Sequence, residues 1–215
     1  MTNMAFDANG RKEAWSQLDG LSDREIAGRI ISGLKTLGDF QPDLAHLKLF
    51  GFPKDRPMHF LDFGAGMLRN TVGLLEMSPL WRVVAYDTQE MLTRGLAHWR
   101  ERLAPHVGRL HCVSSWDEAK QSGPYEAVVA FLALQHIDEP YLSENLADIH
   151  DLAPHLCVYG RRTLDDFKTG VWEILGRTFK PVMVTGRKIN SFPVSTNLEE
   201  GYFDDHTAVM YVPVP

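Results

Sequence analysis

The sequence predicts a doubly wound α/β fold in which a mostly parallel sheet of seven strands follows an N-terminal helical extension. Short apolar segments alternate with segments of helical periodicity from residue 58 onward. This alternation is typical of parallel strands that helices cover on both faces. The 215 residues are enough for one domain with a full core, and the first part of the chain has helical periodicity alone.

A helix is predicted in the first part of the chain. Ser22 and Glu25 match the pattern of a capping box, in which the two residues bond to each other's main chain. Apolar residues then recur on one helical face as far as Leu34, and Gly38 is a stop signal. The sequence therefore predicts a helix that ends close to Gly38.

A loop rich in proline and glycine, residues 50–57, separates this extension from the alternating part. We assign residues 1–56 to the helical extension, or lid, and residues 57–215 to the sheet domain. The predicted strands are 58–63, 81–87, 109–115, one that begins at 125, 155–160, 180–186 and 206–214. The predicted helices between them are 68–77, 88–104, 139–152 and roughly 163–177.

The last two strands are joined by a polar loop, residues 188–205, rather than by a helix. An antiparallel pairing is therefore expected at that end of the sheet. Sheets of this class bind ligands beyond the carboxyl ends of the strands, near the point where the strand order reverses. The candidate functional residues are therefore those that follow the carboxyl ends of the strands.

Composition excludes several classes of protein. The formal net charge is −6, so a general nucleic-acid surface is not expected, since phosphate binding needs clustered cations. Cys112 and Cys157 each lie in an apolar segment and predict buried thiols rather than a disulfide or a metal pair. No apolar stretch approaches the roughly 18 residues of a membrane helix, and the first 15 residues lack a secretory pattern. A cytoplasmic protein without membrane contact is predicted.

The segment HFLDFGAGMLRN, residues 59–70, contains the first candidate site. Gly64 and Gly66 follow a strand and precede a helix, so a ligand can lie against their main chain. A dinucleotide fingerprint would need a glycine at Arg69, and the Asp62 carboxylate would repel a phosphate. These residues favour a positively charged ligand. The alternatives are that Asp62 caps the next helix and that the glycines serve packing.

Asp87 ends the second strand at the same edge of the sheet. An ionised carboxylate has two acceptor oxygens and can bond both hydroxyls of a ribose. The ligand inferred is a nucleoside with a cationic, phosphate-free appendage. The alternative is that Asp87 caps the helix that begins near Gln89.

Three segments resemble the class I S-adenosylmethionine-dependent methyltransferases. LDFGAG at 61–66 resembles the glycine motif of that family, VVAYDTQEML at 83–92 its ribose motif, and YEAVVAFLALQHI at 125–137 its fourth-strand motif. The resemblance covers about residues 57–160. It implies a Rossmann-like methyltransferase fold, S-adenosylmethionine as the cofactor and methyl transfer as the activity.

The resemblance also implies roles for individual residues. The methionine moiety would lie on the glycine loop with Asp62 at its amino end, and Asp87 would bind the ribose. Leu68 stands where the family often has a third glycine. For Trp116, the alternative to contact with adenine is a position in the core or in a lid. The residues implied in cofactor binding are Asp62, Gly64, Ala65, Gly66, Asp87, Thr88 and Met91, with Ser115 and Trp116 beside the adenine and Phe131 and Leu132 near the sulfonium.

The implied reaction is an in-line displacement at the methyl carbon, for which the protein mainly aligns the acceptor and excludes water. A general base helps only where the acceptor must lose a proton. His136 is the candidate base because it follows the fourth strand at the ligand edge. The alternative is a histidine bonded to nearby main chain. No metal is predicted.

The acceptor is predicted to be a small molecule. The stretch AFLALQH after the fourth strand lacks the Asn/Asp-Pro-Pro-aromatic pattern of nucleobase amino methylation and a Pro-Cys nucleophile. Residues 11–37, with Trp15, are expected to cover the site. The loop 188–205 is either its opposite wall or plain surface, with aromatic residues Phe192, Tyr202 and Phe203.

Two other functions stay open. One is a cofactor-binding protein without catalysis that acts as a partner or regulator. The other is an NAD(P)-dependent oxidoreductase, which Asp62 and Arg69 disfavour. The atom methylated and the oligomeric state are not indicated by the sequence.

Overall fold

The structure is a computed structural model that describes residues 18–31, 34–42, 44–161, 169–186 and 206–214. Within these residues seven strands form one open sheet in the order β3-β2-β1-β4-β5-β7-β6. The strands are β1 (Met58–Phe63), β2 (Trp81–Tyr86), β3 (Leu110–Val113), β4 (Ala127–Phe131), β5 (Leu156–Arg161), β6 (Phe179–Gly186) and β7 (His206–Pro213).

The pairing confirms the predicted, mostly parallel sheet. Strands β3, β2, β1, β4 and β5 are parallel to their neighbours, and β7 is antiparallel to both β5 and β6. The order along the sheet reverses between β1 and β4, from which β2 and β5 continue to opposite sides. The crevice beyond the carboxyl ends of β1 and β4 is therefore where this fold places a ligand.

Helices cover the sheet on both faces. They are α1 (Asp23–Ile30), α2 (Leu44–Leu49), α3 (Arg69–Met77), α4 (Gln89–His98), α5 (Arg100–Leu103), α6 (Trp116–Gln121), α7 (Glu139–Leu152) and α8 (Thr169–Thr178). Short 3-10 turns occupy Leu37–Asp39, Ala104–Arg109 and Leu134–His136. The predicted helices at 68–77 and 139–152 agree with α3 and α7 to within one residue.

Two predicted helix bounds are wrong. Helix α1 has the capping box of Ser22 and Glu25, but it ends at Ile30 rather than near Gly38. The predicted helix 88–104 divides at Trp99, whose ψ is 16°. The indole N–H of Trp99 donates to the carbonyl oxygen of Met67, with 2.7 Å between N and O. A tertiary contact at the residue that interrupts the helix thus holds it against the loop after β1.

The N-terminal extension shares its core with the sheet. Leu18, Ile26, Phe40 and Leu47 are buried in one continuous cluster with Phe60 of β1. Burial of each such side chain stabilises the folded state by about 1.5–3 kcal/mol relative to exposure. The described part of the extension is therefore packed against the sheet and shares its hydrophobic core.

The cysteines have unreactive surroundings. Cys112 and Cys157 are free thiols, as predicted; Cys157 is fully buried, whereas Cys112 is only half-buried. Burial raises the pKa of Cys112 to about 11 and the pKa of Cys157 well above its ordinary value, so neither is a thiolate near neutral pH. None of the helices in the described ranges has the length and apolar character needed to cross a membrane.

Candidate active site

A cavity of about 220 Å³ lies beyond the carboxyl ends of β1, β2 and β4, at the point where the strand order reverses. Its wall brings together nine of the twelve residues that the sequence predicts: Gly64, Ala65, Gly66, Asp87, Thr88, Met91, Phe131, Leu132 and His136. The remaining three, Asp62, Ser115 and Trp116, lie outside this wall. Ligand contacts of all twelve stay predictions.

The loop after β1 owes its shape to three left-handed residues. Gly64, Gly66 and Leu68 have φ values of 72°, 54° and 63°. A Cβ added to Gly64 would lie 2.5 Å from the Cβ of Ala133, whereas one added to Gly66 would meet nothing closer than 3.4 Å. Gly64 thus serves close packing, as the alternative interpretation proposed. Gly66 is required mainly because L-residues rarely adopt its backbone conformation.

Asp87 joins this loop to the end of β2. Its Oδ2 accepts a hydrogen bond from the Gly66 N–H at 2.7 Å, and its Oδ1 accepts one from the Thr88 N–H at 2.6 Å. Helix α4 is capped by Thr88, whose hydroxyl accepts from the N–H of Met91 at 3.2 Å. The interpretation of Asp87 as the cap of this helix is therefore wrong.

Asp62 lies beneath the loop and is only 1% exposed. The hydroxyl of Thr71 donates to its Oδ2 at 2.5 Å. Burial raises the pKa of the Asp62 carboxyl to about 7, and the Thr71 hydrogen bond opposes this shift while the charge of Asp87 adds to it. Because Thr71 is in the first turn of α3, Asp62 supports the start of that helix without occupying its cap position, which is Leu68.

Trp116 is half-buried and packs against the core, and it is not part of the cavity wall. Its ring meets Phe63 edge-on with 5.3 Å between centroids, and Tyr86 lies at the same distance. The indole N–H donates to Asp148 at 2.7 Å. These contacts agree with the packing alternative. Ser115 precedes α6 without a side-chain cap bond, and its contact with adenine stays a prediction.

The turn after β4 places two polar side chains at the cavity. Leu132 has a φ of 55°, and its N–H donates to the Tyr159 carbonyl at 2.7 Å. A 3-10 turn follows in which the His136 N–H donates to the Ala133 carbonyl at 3.0 Å. The side-chain amide nitrogen of Gln135 lies 3.3 Å from His136 Nε2.

Several residues of the cavity wall were not predicted from the sequence. Arg69 and Asn70 directly follow the glycine loop, and their position at the start of a helix was a usable signal. Arg29 and Ile30 come from α1, and Asn145 comes from α7. Nothing local in the sequence shows which face of α1 or α7 meets the sheet edge. The other residues missed are Phe63, Tyr86, Ala133, Gln135 and Ile137.

Comparison with known proteins connects this geometry to one fold family. No family model matches the sequence, and no curated protein matches it at a significant level. Among solved structures, the magnesium protoporphyrin IX methyltransferase ChlM from Synechocystis PCC 6803, solved with bound S-adenosylmethionine, is similar with a TM-score of 0.66 at 17% identity. That match covers 99% of this chain and 100% of ChlM.

Two further structures have the same fold. A TehB-like S-adenosylmethionine-dependent methyltransferase from Corynebacterium glutamicum gives a TM-score of 0.58 at 12% identity, over 80% of this chain and 88% of that one. The pyocyanin biosynthetic protein PhzM gives 0.57 at 14% identity over 80% of this chain. This chain spans 55% of the length of PhzM.

These similarities show that the chain has the Rossmann-like fold of S-adenosylmethionine-dependent methyltransferases. The resemblance inferred from the three sequence segments is thus confirmed at the level of the fold.

Proposed function

We propose that this protein is an S-adenosylmethionine-dependent methyltransferase that acts on a small-molecule acceptor. The observation that carries the proposal is the position of Asp87 and the glycine loop together on one wall of a cavity at the strand switch point. Solved structures with this fold include one with the cofactor bound.

The residues present fit the cofactor. Asp87 lies at the cavity wall, where its carboxylate accepts main-chain hydrogen bonds from Gly66 and Thr88, and a carboxylate is the group that can accept from the hydroxyls of a ribose. Gly66 lies at the cavity wall and has no side chain, so a ligand can approach its main chain. Arg69, largely buried at the start of α3, supplies a positive charge suited to the carboxylate of the methionine moiety.

The cofactor supplies an activated methyl group, and the chain contributes position and exclusion of water. Asp87 would fix the nucleoside end, and the glycine loop would hold the amino-acid tail. Phe131 and Leu132 add apolar residues to the cavity wall that also includes His136. A small acceptor bound beside them would be positioned for in-line attack on the methyl carbon.

A small acceptor is also supported by shape and charge. Residues from α1, α7 and the turn after β4 contribute to the wall of the cavity, which favours an acceptor small enough to enter it. A net charge of −6 disfavours a nucleic-acid acceptor. ChlM is named for a porphyrin substrate and PhzM for pyocyanin biosynthesis.

The test is a thermal-shift and calorimetry screen against S-adenosylmethionine, S-adenosylhomocysteine, NAD and NADP. At a ligand concentration about 100-fold above Kd the two S-adenosyl compounds should stabilise the fold by about 2.7 kcal/mol, a rise in Tm of roughly 5–10 °C. NAD and NADP should give no shift. A shift with NAD alone would contradict the proposal.

Turnover separates the enzyme from the non-catalytic alternative. Release of S-adenosylhomocysteine is measured with a panel of small amines, phenols, carboxylic acids and thiols. Release that depends on one acceptor supports the methyltransferase. Tight cofactor binding with no release from any acceptor would instead support a partner or regulatory protein.

A further inference from the structure

We propose that Gln135 is the residue that recognises the methyl acceptor, through a hydrogen bond from the acceptor's attacking group to Gln135 Oε1. The acceptor would then be an amine or a hydroxyl compound, whose attacking atom carries a hydrogen. This inference rests on the proposed function and adds a substrate class to it.

The side chain of Gln135 is in an unusual position for an amide. It is 7% exposed and lines the cavity. Its Oε1 is buried and has no hydrogen-bond partner among the residues that the structure describes. A buried acceptor without a donor costs about 1–3 kcal/mol, and most such atoms in folded proteins have a partner. A ligand with an N–H or O–H group would satisfy this oxygen.

The other half of the amide is already engaged. Gln135 Nε2 lies 3.3 Å from His136 Nε2. The proposal assigns the amide nitrogen as the donor and the ring nitrogen as the acceptor, which requires the neutral His136 ring to carry its proton on Nδ1. The two branches of a carboxamide diverge, which turns Oε1 away from the ring. In this arrangement Oε1 is the atom of Gln135 that is offered to a ligand.

The main chain holds this turn against the loop that would carry the cofactor. Leu132 keeps a left-handed conformation with its N–H bonded to Tyr159. Ala133 packs so closely on Gly64 that no Cβ fits between them. Left-handed non-glycine residues store strain and cluster at functional sites. Gln135 thus has a fixed position relative to the glycine loop.

Methyl transfer to such an acceptor needs no reactant beyond the acceptor and the cofactor. The new bond joins the acceptor's nitrogen or oxygen to the methyl carbon as the bond from that carbon to sulfur breaks, and the electron pair stays on sulfur. The proton of the attacking group passes to water. Gln135 Oε1 orients the attacking group through that hydrogen and takes no proton itself, since an amide oxygen is a very weak base.

The first experiment needs no variant and no acceptor. The ¹⁵N shifts of the His136 ring are measured at about pH 8.5, well above the ordinary histidine pKa, in the S-adenosylhomocysteine-saturated protein. The proposal requires a protonated Nδ1 and an unprotonated Nε2. A proton on Nε2 would show that the amide faces the opposite way, with its NH₂ toward the cavity, and would overturn the proposal.

The second experiment compares matched pairs of probe molecules on the same saturated protein. Phenol is compared with anisole and aniline with N,N-dimethylaniline by ligand-observed NMR, since the second member of each pair lacks the donor hydrogen. The wild-type protein should bind a donor-bearing member about tenfold more tightly. In Gln135→Met, which keeps the length of the side chain, this preference should fall below about twofold. Gln121→Met, at an exposed position on α6, is the matched control and should keep it.

The outcomes separate the two proposals. If S-adenosylhomocysteine fails to bind the wild-type protein, the proposed function itself fails. Suppose instead that S-adenosylhomocysteine binds equally well to the wild-type protein and to Gln135→Met. If the methylated probes then bind as tightly as the donor-bearing probes, or if no probe binds, the role of Gln135 is overturned and the proposed function stands. An unchanged preference in Gln135→Met overturns it too, since another group then accepts the hydrogen bond from the donor-bearing probes.

Discussion

Asp87 Oδ2 accepts a hydrogen bond from the main-chain N–H of Gly66 across 2.7 Å, so the residue after β2 fixes the loop after β1. The other oxygen, Oδ1, accepts from the N–H of Thr88. One carboxylate therefore holds the glycine loop in place and, under the proposed function, also binds the ribose. Fold stability and ligand affinity are coupled through this side chain.

Replacement of Asp87 should lower both the stability of the fold and the affinity for the cofactor. Asp87→Ala removes two charge-assisted hydrogen bonds, so we expect the free energy of unfolding to fall by roughly 2–4 kcal/mol. Affinity for S-adenosylmethionine should fall at least tenfold. Urea denaturation and calorimetry measure the two effects, with Asp55→Ala at an exposed loop position as the control. Wild-type affinity in a folded Asp87→Ala protein would exclude Asp87 from the cofactor site.

Gly64 and Ala133 should show energetic coupling. A Cβ on Gly64 would lie 2.5 Å from the Cβ of Ala133, so Gly64→Ala should cost roughly 2–4 kcal/mol from strain and overpacking together. Ala133→Gly removes the clashing methyl group. In the double variant the overpacking part, about 1–3 kcal/mol, should be recovered while the strain of the positive φ stays.

Gly66→Ala is the comparison within the same loop. Among the described residues, its added Cβ would meet the ends of the Ile30 and Met91 side chains, at 3.4 and 3.5 Å. We expect a cost of about 1–2 kcal/mol from backbone strain alone, with no rescue by Ala133→Gly. Additive energies for Gly64→Ala and Ala133→Gly would contradict the packing account of Gly64.

Much of this site was predictable because its parts are local in sequence. Gly64 and Gly66 follow one strand and Asp87 ends the next, and parallel strands bring their carboxyl ends to one edge of the sheet. The identity of those residues and the order of the elements were sufficient to place them together. Thr88 and Met91 follow from the same logic, since they open the next helix.

Other features depend on tertiary contacts that no local pattern encodes. Arg29 reaches the cavity because α1 docks on the sheet edge, where the guanidinium of Arg94 in α4 pairs with Asp23 of α1 at 2.8 Å. Helix α4 ends early at Trp99, whose indole bonds to the loop after β1. Trp116, for which contact with adenine stays a prediction, packs on Phe63, a contact that the local sequence does not indicate.

Asp62 should make the stability of the fold depend on pH. Its pKa is raised to about 7 by burial, whereas an unfolded aspartate has a pKa of about 3.9. Between these values the folded state binds one proton more, so stability falls as pH rises from about 4 to 7 and levels off above that. The contribution lost over this range is on the order of 2–4 kcal/mol.

Asp62→Asn tests this dependence. The amide oxygen can still accept from the Thr71 hydroxyl, but the new side chain carries no buried charge at any pH. We expect the Asp62→Asn variant to gain on the order of 2 kcal/mol over the wild type at about pH 8 and to match it closely at about pH 5. Urea denaturation at both pH values measures the difference. An equal change at the two pH values would show that Asp62 does not titrate in this range.

At Leu68, substitution by glycine should destabilise the fold less than substitution by alanine, which is the reverse of the usual order in a helix. It is fully buried with a φ of 63° at the start of α3. Leu68→Ala and Leu68→Gly both leave a cavity, which costs roughly 2–5 kcal/mol. Only glycine also relieves the left-handed strain of about 1–2 kcal/mol. Leu68→Gly should therefore be the more stable variant of the two, although less stable than the wild type.

Leu74 in the middle of α3 is the matched control. It is equally buried but lies within the helix, where glycine is less favourable than alanine by about 1 kcal/mol. Leu74→Gly should accordingly be the less stable of its pair. Urea denaturation of the four variants measures two differences of opposite sign. If glycine is worse than alanine at both positions, the left-handed conformation of Leu68 is not strained. The departure from the family's third glycine would then carry no energetic penalty in the backbone.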